Sequence, residues 1–258
     1  MAFLLGKVIV SGRIRLVSGT RVGGSQGGLK IGGVDLNVIT DPQGRPYLPG
    51  SSLKGKLRSL TERVLEASVS DRGMHTCGKK DEYAKCDVCR TYGTLKSFEG
   101  VPTLTRLVAR DVFLDESSIT EEMRANMDME FTEVKFETAI DRVSGTALKR
   151  SLRQVERVPA GAVFRPAEFV FNVYEENDKG LLRCLFVAME LLEDDYLGGM
   201  GSRGYGKVKF EDISVWWNRA TDYQDGKVAL SECRRINGEM KTPTALVQGF
   251  DTLKAKLT

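Results

Sequence analysis

The chain has 258 residues, 41% of them hydrophobic and 28% charged, with a formal net charge of +3. This composition is ordinary for a globular protein, and the length allows one elaborated domain with a real core. A net charge this small does not by itself indicate a nucleic-acid binder, so any anionic partner would have to be bound by locally arranged basic residues. No apolar run approaches the roughly 20 residues of a membrane span. The start, Met1 to Leu5, is too short for a signal peptide, so we expect a cytoplasmic protein with no membrane partner.

The first predicted element is a strand, in which apolar residues mostly alternate from Val8 to Leu16. A glycine-rich segment follows from Val22 and leads to Asp35, the only acid between Met1 and Asp41. An acid isolated in such a loop is either a solvated turn residue or a placed functional carboxylate. The residues alone leave both interpretations open.

A helix is predicted next, continuing to about Ala67, with Ser51 or Ser52 as its N-cap. Its apolar residues recur at spacings of three and four and form one stripe for a core: Leu53, Leu57, Leu60 and Val64.

Two basic residues of this helix, Lys54 and Arg58, lie four apart and therefore on one face near its N-terminus. Free backbone N–H groups favour an anion there. The segment nearly matches a nucleotide-binding P-loop, but Leu57 stands where that motif needs Ser or Thr. The alternatives are a phosphate-binding site and a capped surface helix with solvated basic residues.

Residues 71–97 form a polar loop that holds the chain's only histidine and three of its five cysteines. His75 and Cys77 precede a C-x-x-C pair, Cys86 and Cys89, and these four side chains suit a tetrahedral structural zinc site. The odd number of cysteines argues against a disulfide framework. The alternative is a set of reduced surface cysteines.

Strand character returns from Leu107 to Leu114, a segment that carries Asp111. Residues 130–157 then mix alternating apolar residues with charge of both signs, and Ser144-Gly145-Thr146 is predicted as a tip. We interpret this segment as an extended hairpin. Its basic side chains either follow a nucleic-acid backbone or are simply solvated.

The pattern then predicts a strand from Phe164 to Tyr174, a turn at residues 177–180 and a helix from Leu181 to Leu192. After that helix comes a glycine-rich stretch, Leu197 to Phe210, and a further strand ending near Trp217. Its five glycines and nearby donors suit a phosphate cradle, and a plain glycine turn is the alternative. The stretch contains GxGxxG, but helix and strand flank it in the reverse of the dinucleotide-binding order.

In chain order these elements predict an α+β, ferredoxin-like (RRM-like) βαββαβ body. We place it at residues 1–217, with a zinc-loop insertion at 71–97 and a thumb hairpin insertion at 130–157. Residues 218–258 form a polar C-terminal extension with a weak last helix, about whose role the sequence says little.

Three segments together resemble a known family. They are Pro49 to Arg58, Thr132 to Arg142, and Asp195 to Gly206, with its Gly-Ser-Arg-Gly-Tyr-Gly run. They are similar to the RAMP superfamily, and within it to the backbone subunits of type III-A CRISPR (Csm) effector complexes. The resemblance covers about residues 5 to 217.

The resemblance implies a function. Members stack in a filament of copies along guide (cr)RNA beside other Csm subunits, and a thumb hairpin flips out nucleotides of the target RNA. A loop aspartate then cleaves the target at regular intervals, with Mg²⁺ or another divalent ion. Ile31-Gly32-Gly33-Val34-Asp35 matches that loop, so Asp35 is implied to be catalytic.

Other positions follow with the resemblance. Secondary acids important for integrity or activity map to Asp111, Glu133, Glu137 and Glu156. Many relatives have histidine where Arg21 stands, and Arg21 is interpreted as a phosphate ligand. The remaining expected RNA-binding residues are Ser51, Ser52, Lys54, Arg58, Gly199, Gly201, Ser202, Arg203, Gly204 and Tyr205.

Three functions remain to be compared. The first is a guide-directed endoribonuclease subunit, and the second is a non-catalytic guide-RNA-binding scaffold of the same fold. The third, more distant one is a zinc-stapled regulator that binds another polyanion.

Overall fold

The structure is a computed structural model that describes residues 3–23, 34–69, 73–99, 101, 103–228 and 230–258. Most of the glycine-rich segment that precedes Asp35 and the beginning of the predicted zinc loop lie outside the described residues. No helix among these ranges is both long and apolar enough to cross a membrane.

The described part of the chain is a mixed α/β fold with antiparallel sheets. Its strands are β1 (Gly6–Leu16), β2 (Tyr47–Leu48), β3 (Leu107–Ala109), β4 (Val112–Phe113), β5 (Glu133–Glu137), β6 (Arg153–Arg157), β7 (Val163–Val173) and β8 (Val208–Arg219). Its α-helices are α1 (Gly50–Val64), α2 (Lys80–Ala84), α3 (Asp87–Tyr92), α4 (Glu121–Ala125), α5 (Asp178–Asp194), α6 (Ala220–Gln224), α7 (Pro243–Gln248) and α8 (Phe250–Lys254).

The central sheet has four strands in the order β3-β7-β1-β8, and every neighbouring pair is antiparallel. β1 lies between the two long strands, so that Val8 is opposite Phe171 on β7 and Trp217 on β8. Side chains alternate across a strand, and the alternating apolar residues of β1 are fully buried. The predicted first strand is confirmed.

Helices α1 and α5 pack against each other and against the sheet. Leu53, Leu57 and Leu60 of α1 are buried as predicted, and each contributes roughly 1.5–3 kcal/mol of burial free energy. Val64 is 49% exposed, so its assignment to the stripe was wrong. The helix ends there, earlier than predicted, and its last two residues, Arg63 and Val64, are exposed.

The beginning of α1 also differs from the prediction. Its N-cap is Pro49, and no side chain caps it there, so the assignment of Ser51 or Ser52 as N-cap was wrong. Asp111 performs this role from a distant part of the chain, because its Oδ1 accepts the backbone N–H of Gly50 at 2.7 Å. Asp111 lies between β3 and β4, which divide the single predicted strand in two.

The predicted helix within α5 is confirmed, including its apolar face. The predicted turn at residues 177–180 is wrong, since α5 begins at Asp178. Asp178 is fully buried, and its Oδ2 accepts the backbone N–H groups of Tyr174 and Glu175 at 3.0 and 3.1 Å. Those bonds fix the chain where β7 turns into the helix.

The predicted hairpin contains the antiparallel pair β5 and β6. Beyond that ladder, Ile140 bridges Ala147, and Asp141 Oδ1 accepts the N–H groups of Val143 and Ser144 at 2.8 and 3.3 Å. This turn agrees with the predicted tip. Val143 is 99% exposed, so the tip presents apolar surface to solvent.

The C-terminal segment after β8 is part of the main core, which the sequence did not reveal. Leu246, Phe250 and Leu253 are buried in the same cluster as the sheet residues, and Phe250 contacts the Phe186 ring edge-on at 6.3 Å. Asn237 is fully buried, donates to Ile213 O at 2.9 Å and accepts from Val215 N at 2.9 Å. These bonds attach the segment to β8.

Candidate functional site

The loop that carries Asp35 lies along strand β6. Leu36 bridges Val155 in parallel, and the N–H of Glu156 donates to Leu36 O at 2.9 Å. Asp35 itself is exposed, and its Oδ2 accepts the N–H of Gln154 at 2.9 Å. Its Oδ1 has no hydrogen-bond partner among the described residues. The side chain is therefore exposed and held in place through one of its two oxygens.

The buried carboxylate of Glu156 holds the Asp35 loop in place. It is 8% exposed, and its two oxygens accept Val38 N–H at 2.8 Å and Thr132 Oγ1–H at 2.7 Å. The carboxylate thus joins the Asp35 loop to the segment before β5. This bonding gives a structural reason for an acid at this position.

Arg21 lies between the Asp35 loop and the late glycine stretch. Burial lowers the pKa of its guanidinium, and the nearby Glu156 carboxylate opposes this effect. Its Nε is buried with no hydrogen-bond partner among the described residues. Its carbonyl accepts Gly199 N–H at 2.9 Å. A buried donor without a partner is costly, so this guanidinium suits an anion.

Close backbone contact explains two glycines of the late stretch. A Cβ on Gly198 would lie 2.2 Å from the carbonyl oxygen of Arg21, and one on Gly206 would lie 2.3 Å from that of Leu197. Both residues have positive φ, +85° and +82°. Because neither glycine has a side chain, the backbone of the stretch can pack closely against Arg21 at Gly198 and against Leu197 at Gly206.

The predicted residues around Arg203 contact the hairpin. Arg203 Nη1 lies 2.8 Å from Glu137 Oε2, although the Arg203 side chain remains 48% exposed. Tyr205 is buried, and burial raises its pKa to about 12. Its ring centre lies 4.8 Å from Lys135 Nζ and 5.1 Å from the Arg157 guanidinium carbon. Tyr205 therefore supports the base of the hairpin, while Ser202 and Gly204 are exposed.

The beginning of α1 is connected to the glycine stretch by Lys56. Its Nζ lies 2.9 Å from Asp195 Oδ2 and 3.8 Å from the centre of the Tyr196 ring. A Cβ on Gly201 would overlap that ring, at 1.9 Å. These contacts bring the two predicted phosphate-binding segments together, because Lys56 belongs to one and Gly201 to the other.

On α1, Ser51 is exposed and Ser52 and Lys54 are half-buried. Burial, followed by repulsion from Arg58, lowers the pKa of Lys54. Arg58 has internal partners: Glu62 Oε1 at 2.7 Å, Gly93 O at 3.2 Å and His75 O at 2.6 Å. Arg58 therefore ties α1 to the cysteine-containing loop.

The remaining predicted acids have identifiable partners. Glu133 Oε1 accepts Arg157 Nε at 2.7 Å across the β5–β6 pair. Asp111 holds the first turn of α1, as described above. The structure thus gives Asp111, Glu133, Glu137 and Glu156 positions that hold the fold around the Asp35 loop, the glycine stretch and α1.

The four predicted metal ligands lie together, with one ligand atom from each within 4.8 Å of all the others. His75 Nε2 is 3.2 Å from Cys86 Sγ, and Cys77 Sγ is 3.6 Å from Cys89 Sγ. Tetrahedral Zn–S bonds of about 2.3 Å would separate two sulfurs by roughly 3.8 Å. His75 Nδ1 lies 2.7 Å from Ser68 O, which leaves Nε2 for a metal. The group fits a metal ion.

Sequence reasoning missed the contacts that support these residues. They come from backbone groups or from side chains with ordinary local patterns: Gln154 N–H, Lys56, Lys135, Arg157 and Tyr196. Only the charge alternation of the hairpin gave a signal, because it placed Lys135 and Glu137 on one face of a strand.

The RAMP superfamily model matches residues 13–209. "CRISPR system Cms endoribonuclease Csm3" of Methanocaldococcus jannaschii is 45% identical over 216 residues, which cover 82% of each chain. The protein of the same name from Streptococcus thermophilus is 36% identical and covers 81% of this chain and 89% of its own.

Two solved structures are also similar. A chain of the crystal structure of the Csm3-Csm4 subcomplex in the type III-A CRISPR-Cas interference complex has a TM-score of 0.58 and 31% identity, covering 96% of this chain and 97% of its own. The Methanopyrus kandleri Csm3 crystal structure has a TM-score of 0.66 and covers 99% of both chains. Its identity of 21% supports the fold alone.

Proposed function

Because this chain belongs to the RAMP superfamily, we propose that it is a backbone subunit of a type III-A CRISPR effector complex that cleaves target RNA. One observation carries the catalytic part of this proposal: the exposed carboxylate of Asp35 is held by Gln154 N–H on β6, the same strand whose Glu156 lies near the half-buried guanidinium of Arg21. Asp35 is the catalytic residue. Copies of the chain bind guide RNA in a filament with other Csm subunits in the cytoplasm.

The chemistry needs only a few protein groups. RNA carries its own nucleophile, the 2′-hydroxyl, so catalysis requires in-line placement and neutralisation of charge. Asp35 Oδ1 is available either to accept the hydroxyl proton or to hold Mg²⁺ or another divalent ion, which would supply charge neutralisation. Mg²⁺ is often bound by only one or two protein carboxylates, and phosphate oxygens and water molecules are its other ligands. Arg21 would contact the phosphate.

The body is proposed to be ferredoxin-like. The elements β1, α1, β3, β7, α5 and β8 follow the βαββαβ order, and the sheet order supports this assignment. The cysteine-containing loop at 71–97 and the hairpin at 130–157 are insertions into that body. The predicted extension from residue 218 begins within the last two residues of β8, and the segment after that strand packs on the body.

Guide RNA would follow the surface formed by α1 and the glycine stretch. Its phosphates would contact Arg21, Lys54 and Arg203, together with the polar or glycine positions Ser51, Ser52, Gly199, Gly201, Ser202 and Gly204. Because Tyr205 is buried, it would contribute indirectly, by supporting the base of the hairpin. Arg58 would position the cysteine-containing loop, since its described partners are internal.

The metal at His75, Cys77, Cys86 and Cys89 is proposed to be structural zinc. All four ligand positions would be filled by protein, which leaves none open for a substrate. The loop has a small core of its own, formed by Cys77, Tyr83 and Cys89. A bound ion would therefore supply much of the loop's local stability.

The Asp35→Asn variant, assembled with guide, target and divalent ion, tests the catalytic proposal. We expect target cleavage to fall by about 10² or more while guide and target binding are retained. Glu239→Gln is the matched control, because Glu239 is 92% exposed. Cleavage that persists in the Asp35 variant would instead support a scaffold subunit. RNA affinity that scarcely changes with salt would oppose both RNA-binding functions and favour the regulator.

A further inference from the structure

A cavity of about 160 Å³ lies away from the Asp35 loop and the proposed RNA surface, between α2 and the junction of β7 with α5. The lining residues used below are Lys80, Tyr83, Arg90, Arg106, Tyr174 and Glu175. The cavity is independent of the proposed RNA function, because neither Asp35 nor any residue of the proposed RNA surface lines it.

Two arginines meet one carboxylate at this cavity. Asp178 Oδ1 accepts Arg90 Nη2 at 2.8 Å and Arg106 Nε at 3.1 Å. The Asp178 side chain is fully buried, and the side chains of Arg106 and Arg90 are 5% and 12% exposed. The other oxygen of Asp178 is occupied by two backbone N–H groups, so this acid has no further capacity.

The buried charges of this cluster do not balance. Two guanidiniums face one buried carboxylate, and Glu175, 3.5 Å from Arg90 Nη2, is 65% exposed and therefore screened by solvent. Lys80 and Asp81 also line the cavity, at the exposed start of α2, and their opposite charges offset each other. An excess of buried positive charge is unfavourable without a compensating anion.

The arginines also have donors left over. Arg106 Nη1 donates to Tyr83 Oη at 2.9 Å and Leu104 O at 2.8 Å, but its Nη2 has no hydrogen-bond acceptor among the described residues. The Tyr174 ring also lies near this guanidinium, with the ring centre 5.6 Å from the guanidinium carbon of Arg106. Arg90 Nε and Nη1 likewise have no hydrogen-bond acceptor among these residues. Guanidinium forks of this kind match oxyanions in a bidentate manner.

We propose that this cavity binds a phosphate group, held by Arg90 and Arg106 with Lys80 at its rim. The shared chemistry is that of a phosphate monoester, which a free mononucleotide or the 5′-phosphate of an RNA would provide. Tyr83 and Tyr174 line the same cavity and offer apolar ring surface to the group that carries the phosphate.

Isothermal titration calorimetry of the full chain tests the proposal, with inorganic phosphate, AMP and short RNAs bearing a 5′-phosphate or a 5′-hydroxyl as probes. We expect saturable phosphate binding that Arg90→Gln weakens about tenfold, since one charge-assisted contact is lost. Arg90→Lys keeps the positive charge but loses the planar guanidinium, so its phosphate affinity should lie between those of the wild type and Arg90→Gln. Arg110→Gln is the control, because Arg110 is 61% exposed and paired with Glu168 outside the cavity.

Comparison of these probes distinguishes the possible sources of the phosphate. Tighter binding of AMP than of inorganic phosphate identifies a mononucleotide site, whereas preference for 5′-phosphorylated over 5′-hydroxyl RNA that Arg90→Gln abolishes identifies an RNA end. If Arg90→Gln fails to fold, Lys80→Gln on the exposed start of α2 replaces it, with an expected loss of about threefold. Absence of saturable binding, or binding that neither variant changes, would overturn the proposal.

Discussion

Asp35 Oδ2 accepts a hydrogen bond from the backbone N–H of Gln154, with the two atoms 2.9 Å apart. The partner is a main-chain group of β6, the returning strand of the hairpin. The position of the carboxylate therefore depends on the base of the hairpin, which β5 and β6 form. The tip beyond residues 138 and 151 is separate from that base and presents apolar side chains to solvent.

Replacing residues 139–148 by a two-glycine turn should separate these two parts of the hairpin. The β5–β6 ladder and the Asp35 bond remain, so we expect guide affinity to change less than about threefold. Target cleavage should fall more than about tenfold, because in-line geometry of the target would be lost. Cleavage assays and fluorescence anisotropy with the assembled complex measure both. An unchanged cleavage rate would remove the hairpin from the mechanism.

Glu156→Gln should weaken the attachment of the Asp35 loop. Glu156 accepts Val38 N–H and Thr132 Oγ1–H while buried, and an amide replaces one of its acceptor oxygens with a donor. We expect the free energy of unfolding to fall by about 2 kcal/mol and cleavage to fall with it. Urea unfolding and a cleavage assay measure these effects.

Glu133→Gln is the matched control on the same hairpin. Glu133 is 27% exposed and paired with Arg157, and such a partly solvated ion pair contributes less than about 1 kcal/mol. Equal losses in both variants would contradict the role assigned to Glu156.

The elements predicted with success depend on local periodicity. The alternation in β1 and the spacing of apolar residues in α1 and α5 reflect burial of one face, which the sequence records directly. The predicted ligand group at His75 and the three cysteines also depended on local spacing. The prediction that Val64 is buried was wrong, because periodicity does not show where a helix extends past the core.

The supporting contacts of the site could not be predicted, because they join distant parts of the chain. Gln154 is 119 residues from Asp35, and Asp111 is 61 residues from Gly50. The donors involved are backbone N–H groups, which every residue except proline carries. No residue pattern distinguishes the N–H of Gln154 from its neighbours.

Gly198→Ala and Gly204→Ala form a matched pair that tests how the glycine stretch closes on Arg21. Both positions have positive φ, +85° and +86°, and share a cost of roughly 1 kcal/mol for an alanine there. A Cβ on Gly204 meets no atom within 4 Å, whereas one on Gly198 would lie 2.2 Å from Arg21 O.

We therefore expect Gly198→Ala to cost about 3 kcal/mol or more, because the backbone has to shift, and Gly204→Ala about 1 kcal/mol. Urea unfolding of the two variants gives the difference. Guide RNA affinity should also fall in the Gly198 variant, because the stretch that presents the RNA contacts has shifted. Indistinguishable midpoints would show that this close contact does not determine the loop conformation.

RNA affinity should depend on pH through Lys54. Burial lowers its pKa, so the ammonium group loses its proton at a lower pH than an ordinary lysine. Since phosphate binding needs the charged form, affinity should fall as pH rises through this pKa, before exposed lysines titrate. Lys54→Arg retains the charge and should flatten the profile, whereas Lys227→Arg, at a 70% exposed position, should not.

Fluorescence anisotropy with a 2′-O-methylated guide, which resists alkaline hydrolysis, measures this profile between about pH 7 and 10. A profile that Lys54→Arg leaves unchanged would place Lys54 outside the RNA contacts.

Removal of the metal should unfold the cysteine-containing loop while the sheet persists. Among the described residues, the separate apolar cluster of the loop has three buried members, and two of them are predicted ligands. Val88 and Tyr92 attach α3 to the main core, so the part of the loop before α3 would depend most on the ion and on Arg58. We expect about one zinc per chain by elemental analysis, and Cys86→Ser should lose it and melt roughly 5 °C lower. Hydrogen exchange should rise within residues 73–99 and remain low in β1 and β7. Cys233→Ser is the control, because Cys233 is exposed and outside the ligand group. Full zinc content in Cys86→Ser, or unchanged exchange in the loop after chelation, would contradict a structural metal.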